Sequence, residues 1–188
     1  KADSAGKFMP EGVVPREEAT AAIERFAKAS GIALPAVRQA VEFTDADLIS
    51  KQNRAAVAAM QKAGVVMGMA DNRFNPASPA TRAQAAALLH RLVKCSIDPA
   101  MAQGWEQNDS GKYFYYYNGA PITGRQEING IAYVFTQNGE LYNGWMSDNA
   151  GNRMFIHGNK PLTGWWDIGS TGDMKRYHFD ENGRLLPA

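Results

Sequence analysis

Glycine recurs every 20 residues in the second half of this chain, at Gly104, Gly124, Gly144 and Gly164. A tryptophan follows three of these glycines, and Arg125 follows the other. Eleven residues after the first three glycines stand Tyr115, Phe135 and Phe155, and Phe179 matches them if four residues are inserted in the fourth repeat. A fixed period of this kind predicts a repeat architecture in which each unit buries its apolar face on its neighbours.

Asn-Gly pairs punctuate these repeats, at Asn118-Gly119, Asn129-Gly130, Asn138-Gly139 and Asn182-Gly183. Asn-Gly suits type I′ turns, whose twist matches that of paired strands. Each unit is therefore predicted to be two short strands with tight turns. Because a lone hairpin is marginal in water, we expect about four such units to stack into a β-hairpin solenoid.

Residues 112–119, KYFYYYNG, put aromatic side chains on both faces of the strand predicted there. One face, with Tyr113 and Tyr115, is in phase with aromatic residues of the second and fourth repeats and is expected to be stacking core. The other face, with Phe114 and Tyr116, has no aromatic counterpart at Val134 and Thr136. It either accepts a ligand or packs against the preceding half of the chain.

Residues 104–183 resemble the cell-wall-binding repeats of choline-binding and glucan-binding proteins and of clostridial toxin tails, through Gly-Trp, a turn and an aromatic cluster in each unit. The resemblance implies that aromatic rings of consecutive repeats cage a quaternary ammonium group or stack on sugars. Carried over, it predicts ligand-binding rings at Trp105, Tyr113, Tyr116, Tyr133, Trp145 and Trp165. The alternative is that these rings are simply core, which is the expected role of the in-phase aromatics Tyr115, Phe135, Phe155 and Phe179.

The first half of the chain repeats with an offset of 66 residues, since FMPEGVVPREEA (8–19) aligns without gaps to FNPASPATRAQA (74–85). Thr81 and Gln84 form a Thr-x-x-Gln pattern that predicts a capping box at a helix start. That helix is expected to run to about Lys94, with one apolar face listed as Ala85, Leu88, Leu89, Leu92 and Val93.

Two further helices are predicted in this half. The earlier one places Ala19, Ala22, Ile23 and Phe26 on one face and ends at Gly31. The other covers about 53–63, points Val57 and Met60 inward and ends at Gly64.

Residues 43–94 resemble an S-layer homology repeat, through an opening Phe-x-Asp, a Gly-x-x-x-Gly turn, Phe-x-Pro and Thr-Arg-Ala-Gln. Residues 7–31 resemble the second half of a preceding repeat. The resemblance implies an all-helical module that holds bacterial surface proteins to an anionic, pyruvylated cell-wall glycan. It predicts ligand contacts at Arg82, Arg16 and Asp45, where guanidinium and amide groups suit a carboxylate. The alternatives are a solvated first-turn residue for Arg82 and a helix cap for Asp45.

Composition separates the two halves and excludes several functions. Residues 15–94 are rich in Ala, Val, Leu, Lys and Arg, whereas all four tryptophans lie after residue 103, so 96–103 is predicted to be a connector.

Lys and Arg total 20 against 19 Asp and Glu, so the chain lacks the excess positive charge that favours binding to nucleic acid or an anionic membrane. The single cysteine, Cys95, cannot form a disulfide within these residues, and the three histidines lack metal-ligand spacing. No nucleophile motif or phosphate loop is present, so we expect no catalysis, cofactor or metal.

The sequence thus predicts an α+β multidomain chain, with an all-α region over 1–96 and β-hairpin repeats over 104–188. We expect a non-catalytic attachment region of an exported bacterial protein, a fragment whose upstream part is missing, located at the cell wall. The expected partners are cell-wall polysaccharide or teichoic-acid choline, with no membrane span, and a homo-oligomer could complete the helical module. The alternatives are a structural spacer or protein-interaction module, or the binding tail of a cell-wall hydrolase.

Overall fold

The computed structural model describes residues 5–7 and 12–187. The residues of the first Phe-x-Pro motif, Phe8 and Pro10, lie outside the described residues. The chain divides into two compact units. The first contains residues up to Gly111 together with Tyr116–Ala120, and the second contains Lys112–Tyr115 together with the chain from Pro121 onward.

Among its described residues, the first unit contains three α-helices: α1 (Arg16–Ala29), α2 (Lys51–Lys62) and α3 (Arg82–Ile97). Short 3-10 segments lie at Ala46–Leu48, Ala70–Asn72 and Pro99–Ala102. The helices end close to their predicted limits, and Gly31 and Gly64 adopt the positive φ angles, 70° and 75°, expected after a helix. Within the described residues, no helix combines the length and apolar character needed to cross a membrane.

The core of this unit is built around Phe74, which is fully buried. Val57 and Met60 are buried as predicted, but the predicted faces of α1 and α3 are partly wrong. Phe26 is 56% exposed, while α1 instead buries Arg16, Thr20, Ala21, Glu24 and Ala27. In α3, Leu89 and Val93 are exposed, whereas the buried positions are Leu88, Arg91, Leu92 and Cys95. Hydrophobic periodicity missed these faces because several of their buried positions are charged side chains that have partners inside the protein.

The predicted capping box at the start of α3 is confirmed. The backbone N–H of Gln84 donates to the Thr81 hydroxyl oxygen, and the backbone N–H of Thr81 donates to the Gln84 side-chain oxygen, both at 3.1 Å. Each bond satisfies an amide that the helix itself leaves unpaired.

We expect Thr81→Ala to lower the free energy of unfolding of the helical unit by about 1 kcal/mol, because the capping hydroxyl is lost. Urea unfolding followed by far-ultraviolet circular dichroism measures this. Thr44→Ala is the control, since the exposed Thr44 hydroxyl donates to the backbone carbonyl oxygens of Asp71 and Asn72 and caps no α-helix. An equal loss in both variants would contradict the capping role.

Over residues 104–187, ten short strands form the hairpin repeats: β1 (Gly104–Gln107), β2 (Tyr113–Tyr117), β3 (Ala120–Pro121), β4 (Gly124–Ile128), β5 (Ile131–Phe135), β6 (Gly144–Ser147), β7 (Arg153–His157), β8 (Lys160–Pro161), β9 (Gly164–Ser170) and β10 (Asp173–Phe179). They are arranged in four small sheets with the orders β1-β2-β3, β4-β5, β6-β7-β8 and β9-β10. Helices with small antiparallel hairpins confirm the predicted α+β class.

The Asn-Gly pairs adopt two different turns. Asn118-Gly119 and Asn129-Gly130 have positive φ at both residues, as the predicted type I′ turn requires. Asn138 and Asn182 do not have positive φ, so the predicted type I′ turn is wrong for the Asn138-Gly139 and Asn182-Gly183 pairs. In these pairs only the glycine is left-handed, and its amide bonds back to Thr136 or Asp180.

The third repeat is shifted in register by one residue. The repeat glycine faces the in-phase aromatic residue in the second and fourth repeats, where Gly124 pairs with Phe135 and Gly164 with Phe179. In the third repeat Gly144 pairs with Ile156 instead. A one-residue shift moves side chains to the opposite face. Phe155, predicted to be core, is accordingly only half-buried, and Met154 and Ile156 are buried in its place.

Candidate functional site

Arg16, a predicted ligand contact, is buried in the helical unit. Its Nε donates to the Phe74 carbonyl oxygen at 2.7 Å, and its guanidinium carbon lies 5.1 Å from the centre of the Phe74 ring. A terminal nitrogen pairs with the Asp109 carboxylate, whose side chain has 0% exposure. These contacts give Arg16 a structural role inside the unit, and its role in ligand binding stays a prediction.

Asp45 and Arg82, the other two predicted contacts of this half, differ in their surroundings. The two carboxylate oxygens of the buried Asp45 accept the amide N–H groups of Phe74 and Asn75, each at 2.8 Å. Asp45 therefore holds the Phe-x-Pro loop, and its side chain makes no cap bond to the 3-10 segment that follows it. Arg82, the first residue of α3, is exposed. Arg82 is the predicted contact of this half that solvent can reach.

The carboxylate of Asp109 joins two helices. Besides Arg16 of α1, it pairs with Arg91 of α3 at 2.8 Å. Arg91 also donates to the carbonyl oxygens of Val65 and Gln107, at 3.1 and 2.7 Å. Sequence reasoning missed Asp109 and Arg91, because nothing local distinguishes a charge buried with partners from a solvated one.

A polar groove of about 500 Å³ lies between α3 and residues 106–111 of the same unit. Its charged lining includes Arg91 and Lys94 on one side and Glu106 and Asp109 on the other. The Lys94 ammonium and the Glu106 carboxylate are 2.8 Å apart. Because these cations and carboxylates neutralise one another, the groove offers no excess of either charge to a ligand.

Tyr116 belongs to the helical unit and lies under the guanidinium of Arg38. The guanidinium carbon is 3.7 Å from the ring centre, and its Nε donates to the Ala102 carbonyl oxygen at 2.9 Å. Burial raises the pKa of the Tyr116 phenol and lowers the pKa of Arg38. Of the two alternatives drawn from KYFYYYNG, the structure favours packing against the preceding half of the chain for Tyr116, since Arg38 lies between α1 and α2.

Trp145 is the centre of an aromatic cluster in the second unit, which we call the Trp145 box. Its ring centre lies 5.3 Å from that of Phe155, 4.8 Å from that of Tyr177 and 5.8 Å from that of Phe179. The first two contacts are edge-on, at 89° and 69°, an orientation that aromatic quadrupoles favour. The Arg153 guanidinium carbon lies 4.4 Å from the centre of the Trp145 ring.

Trp165 is the most exposed tryptophan of the chain, at 61%. It pairs across the hairpin with His178, and the two rings stack at 4.2 Å with an angle of 3° between their planes. The Arg176 guanidinium carbon lies 5.5 Å from the Trp165 ring centre. The adjacent Trp166 is 44% exposed. Because successive side chains of a strand point to opposite faces, Trp166 lies on the other face, and the Trp165 face presents one exposed ring beside a cation.

The remaining predicted rings lie in less open places. Tyr133 is buried, burial raises its pKa, and its hydroxyl donates to the carbonyl oxygen of Asn159 at 3.1 Å. Tyr113 is half-buried, and a Cβ placed on Gly158 would lie 3.6 Å from its ring. Trp105 is half-buried in β1. Binding by these three rings stays a prediction.

The arginines beside the rings were missed by sequence reasoning. Arg153 stands two residues before Phe155, the cross-strand partner of Trp145, and Arg176 stands two residues before His178, the partner of Trp165. On paired strands such positions are diagonal neighbours on one face. The sequence therefore contains this two-residue spacing. Recognising the arginines as neighbours of the rings also requires the pairing register of the strands, which is shifted by one residue in the third repeat.

In the part of the chain that the structure describes, no group of His, Cys, Asp and Glu side chains could hold a metal ion.

Solved structures similar to this chain include two choline-binding proteins and an alternansucrase. Choline binding protein F from Streptococcus pneumoniae is 25% identical over 45% of this chain and 28% of its own, with a TM-score of 0.30. The choline binding domain of Spr1274 from the same organism is 24% identical over 45% of this chain and 95% of its own, with a TM-score of 0.28. A truncated alternansucrase from Leuconostoc mesenteroides is 30% identical over 44% of this chain and 7% of its own, with a TM-score of 0.25. The alignment thus spans 28% of the length of choline binding protein F.

A family match was found for the helical half, although no curated protein matches this chain. The matched segment lies inside the first compact unit and includes α2, the Phe74 loop and the capping box of α3. It agrees with the repeat predicted at 43–94 and indicates an association with the cell surface or the cell wall. Residues 42–86 match the model of the S-layer homology domain, which confirms the predicted resemblance of this segment.

Proposed function

We propose that this chain is a non-catalytic attachment region that holds an exported bacterial protein to the cell wall by binding carbohydrate non-covalently. The observation that carries this proposal is the S-layer homology match at 42–86. It is supported by a second repeat system in the same chain that resembles wall-binding repeats. The proposed ligands are a secondary cell-wall polysaccharide and, for the hairpin repeats, choline or a glucan.

We further propose that the hairpin repeats stack as a solenoid. Backbone bonds between repeats support this arrangement. The Leu141 amide donates to the Tyr113 carbonyl oxygen, and the Leu185 amide donates to the Arg153 carbonyl oxygen, both at 2.7 Å. Each bond links a residue to a strand of an earlier hairpin, as stacking of units requires.

The surface around Trp165 is the part of the repeats best suited to a sugar. Exposed apolar area is unfavourable in water, so a tryptophan at 61% exposure, stacked on His178, suggests a binding surface on this face of the hairpin. Aromatic faces pack well against the apolar faces of sugar rings, and nearby polar groups supply direction. Asp167 and Arg176 are cross-strand partners on the Trp165 face of this hairpin.

A homo-oligomer is proposed for the helical unit. One complete S-layer-type repeat and part of another are present, and α3 exposes an apolar stripe of Leu89, Val93 and Ile97 at helical spacing. A second copy of this chain would cover that stripe. Light scattering of the purified chain measures the association.

The second candidate is a spacer or protein-interaction module that binds no glycan. It is favoured by the arginines that lie over Tyr116 and Trp145, because these ring faces are then already in contact with the protein. Isothermal titration with choline, with short glucans and with an acidic oligosaccharide separates the two candidates, since a spacer gives no saturable heat with any of them. A binding tail of a cell-wall hydrolase is the remaining alternative.

The test of attachment is co-sedimentation with purified cell walls. We expect the chain to sediment with walls that carry their polysaccharides and to stay in the supernatant with stripped walls. Trp165→Ala should weaken binding, whereas Tyr142→Ala, which removes a ring of 47% exposure outside the predicted set, should not. The proposal fails if the chain does not sediment with either preparation, or if it binds both equally.

A further inference from the structure

The Trp145 box has the composition of a cation site. Trp145 lies against Phe155, Tyr177 and Phe179 at centroid distances of 4.8–5.8 Å. A cation within about 6 Å of such a ring is attracted by its quadrupole, and tryptophan gives the strongest attraction. All four rings belong to the second compact unit.

A side chain of the protein, Arg153, already occupies the cation position of the Trp145 box. The guanidinium carbon of Arg153 lies 4.4 Å from the centre of the Trp145 ring. The register explains why: Trp145 pairs with Phe155 and Ser147 with Arg153, so Trp145 and Arg153 are diagonal neighbours on one face. Arg153 is itself exposed.

A quaternary ammonium group is disfavoured at this box. It would have to displace the guanidinium from the Trp145 face, and a displaced guanidinium would remain close by as a like charge.

A carboxylate is favoured at the same place. A guanidinium laid on a ring keeps its N–H groups in its own plane, where they can donate two parallel bonds to a carboxylate. Among the described residues, the Arg153 guanidinium has no carboxylate partner within 4.0 Å. The arginine at Trp165, Arg176, likewise has none among those residues, so the same pairing of tryptophan with an arginine occurs in two repeats.

We propose that Arg153 and Trp145 form a binding site for a carboxylate-bearing sugar and that Arg153 determines this specificity. The carboxylate pairs with the guanidinium, and the sugar ring packs on the exposed edge of the aromatic cluster. The ligand is an acidic polysaccharide rather than choline. This inference rests on the proposed attachment to cell-wall carbohydrate, and at the Trp145 box it replaces choline or a glucan by an acidic sugar as the ligand.

Isothermal titration of the full chain at low ionic strength tests the proposal. The probes are tetragalacturonate as the acidic sugar, maltotetraose as the neutral sugar, and choline chloride. The wild-type chain should give saturable heat with tetragalacturonate and none with choline. Arg153→Gln should weaken tetragalacturonate binding by about tenfold or more, because a charge-assisted bond is lost. The same variant should gain measurable choline binding, because the Trp145 face is uncovered.

Two further variants define what the arginine contributes. Arg153→Lys keeps the charge but lacks the planar fork, so we expect an intermediate affinity for tetragalacturonate. Lys175→Gln removes the same charge from an exposed position of β10 and should leave the affinity within about twofold, as expected for a screened surface charge. Thermal unfolding checks that each variant is folded, and the exposure of Arg153 makes all of them tolerable.

The inference is overturned if the wild-type chain binds choline with Arg153 in place or does not bind tetragalacturonate. An equal weakening by Arg153→Gln and Lys175→Gln would also overturn it, since general electrostatic attraction would then explain the binding. If the chain sediments with cell walls and Arg153→Gln has no effect there, this inference fails while the proposed function stands. Failure of the wild-type chain to sediment removes the proposed function itself.

Discussion

Asp109→Ala is expected to lower the free energy of unfolding of the helical unit by about 3–5 kcal/mol, because removing one partner leaves buried charges uncompensated. The Asp109 side chain has 0% exposure and pairs with Arg16 and Arg91, whose side chains are 2% and 8% exposed. Urea unfolding followed by far-ultraviolet circular dichroism, which reports α1, α2 and α3, measures the change. Asp109→Asn keeps the shape and part of the hydrogen bonding, so its loss should be smaller.

The matched control is Asp47→Asn. Asp47 is an exposed carboxylate in the same unit, and its backbone carbonyl, rather than its side chain, accepts from Arg54. Its substitution should therefore change the free energy of unfolding by less than about 0.5 kcal/mol, as usual for surface positions. If Asp109→Ala is no more harmful than this control, the pairing of Asp109 with the two arginines is not what stabilises the unit.

Gly183→Ala is expected to destabilise the second unit by about 2–5 kcal/mol, from left-handed backbone strain of about 1–2 and overpacking of about 1–3. Gly183 has φ of 78°, and a Cβ placed there would lie 2.4 Å from the Cβ of Pro161. Gly139 has the same relation to Pro121, at 2.6 Å, so the close approach is a recurring contact of the repeats. The fluorescence of Trp145, Trp165 and Trp166 during urea unfolding measures the loss.

Gly130→Ala separates the two causes. Gly130 also has φ of 78°, but a Cβ there would meet no atom within 4 Å. It should therefore show the backbone strain alone, and the difference between the two variants measures the contact with Pro161. Equal losses in the two variants would mean that the proline does not restrict position 183.

Features that depend on neighbours in sequence were predictable. The capping box of Thr81 and Gln84 needs only a spacing of three residues, and the turns at Asn118 and Asn129 need only a favourable dipeptide between two strands. Asn138 and Asn182 carry the same dipeptide but form a different turn. There the glycine packs against a proline of an earlier hairpin, and no local rule contains that contact.

Features that depend on distant partners were not predictable. The buried face of α1 includes Arg16, whose partner Asp109 lies 93 residues away. Periodicity counts an arginine as a surface residue, so it placed Phe26 in the core instead. Likewise the period of 20 places Phe155 in the core, whereas the shifted pairing of Gly144 with Ile156 turns Trp145 and Arg153 to one face. The aromatic residues of the candidate site could be named from the sequence, but the arginine that covers one of them could not.

The position of Asp109 bears on how such a protein can be assembled by recombination. By its sequence Asp109 belongs to the first hairpin repeat, yet its carboxylate neutralises two arginines of the helical unit. A gene fusion that joined the helices to another partner at residue 103 would leave Arg16 and Arg91 without a counter-charge. The segment that must be kept with the helices therefore extends beyond residue 103 to at least Ala120, since Tyr116–Ala120 also belong to the first unit, and grafts that respect this limit should be the ones that fold.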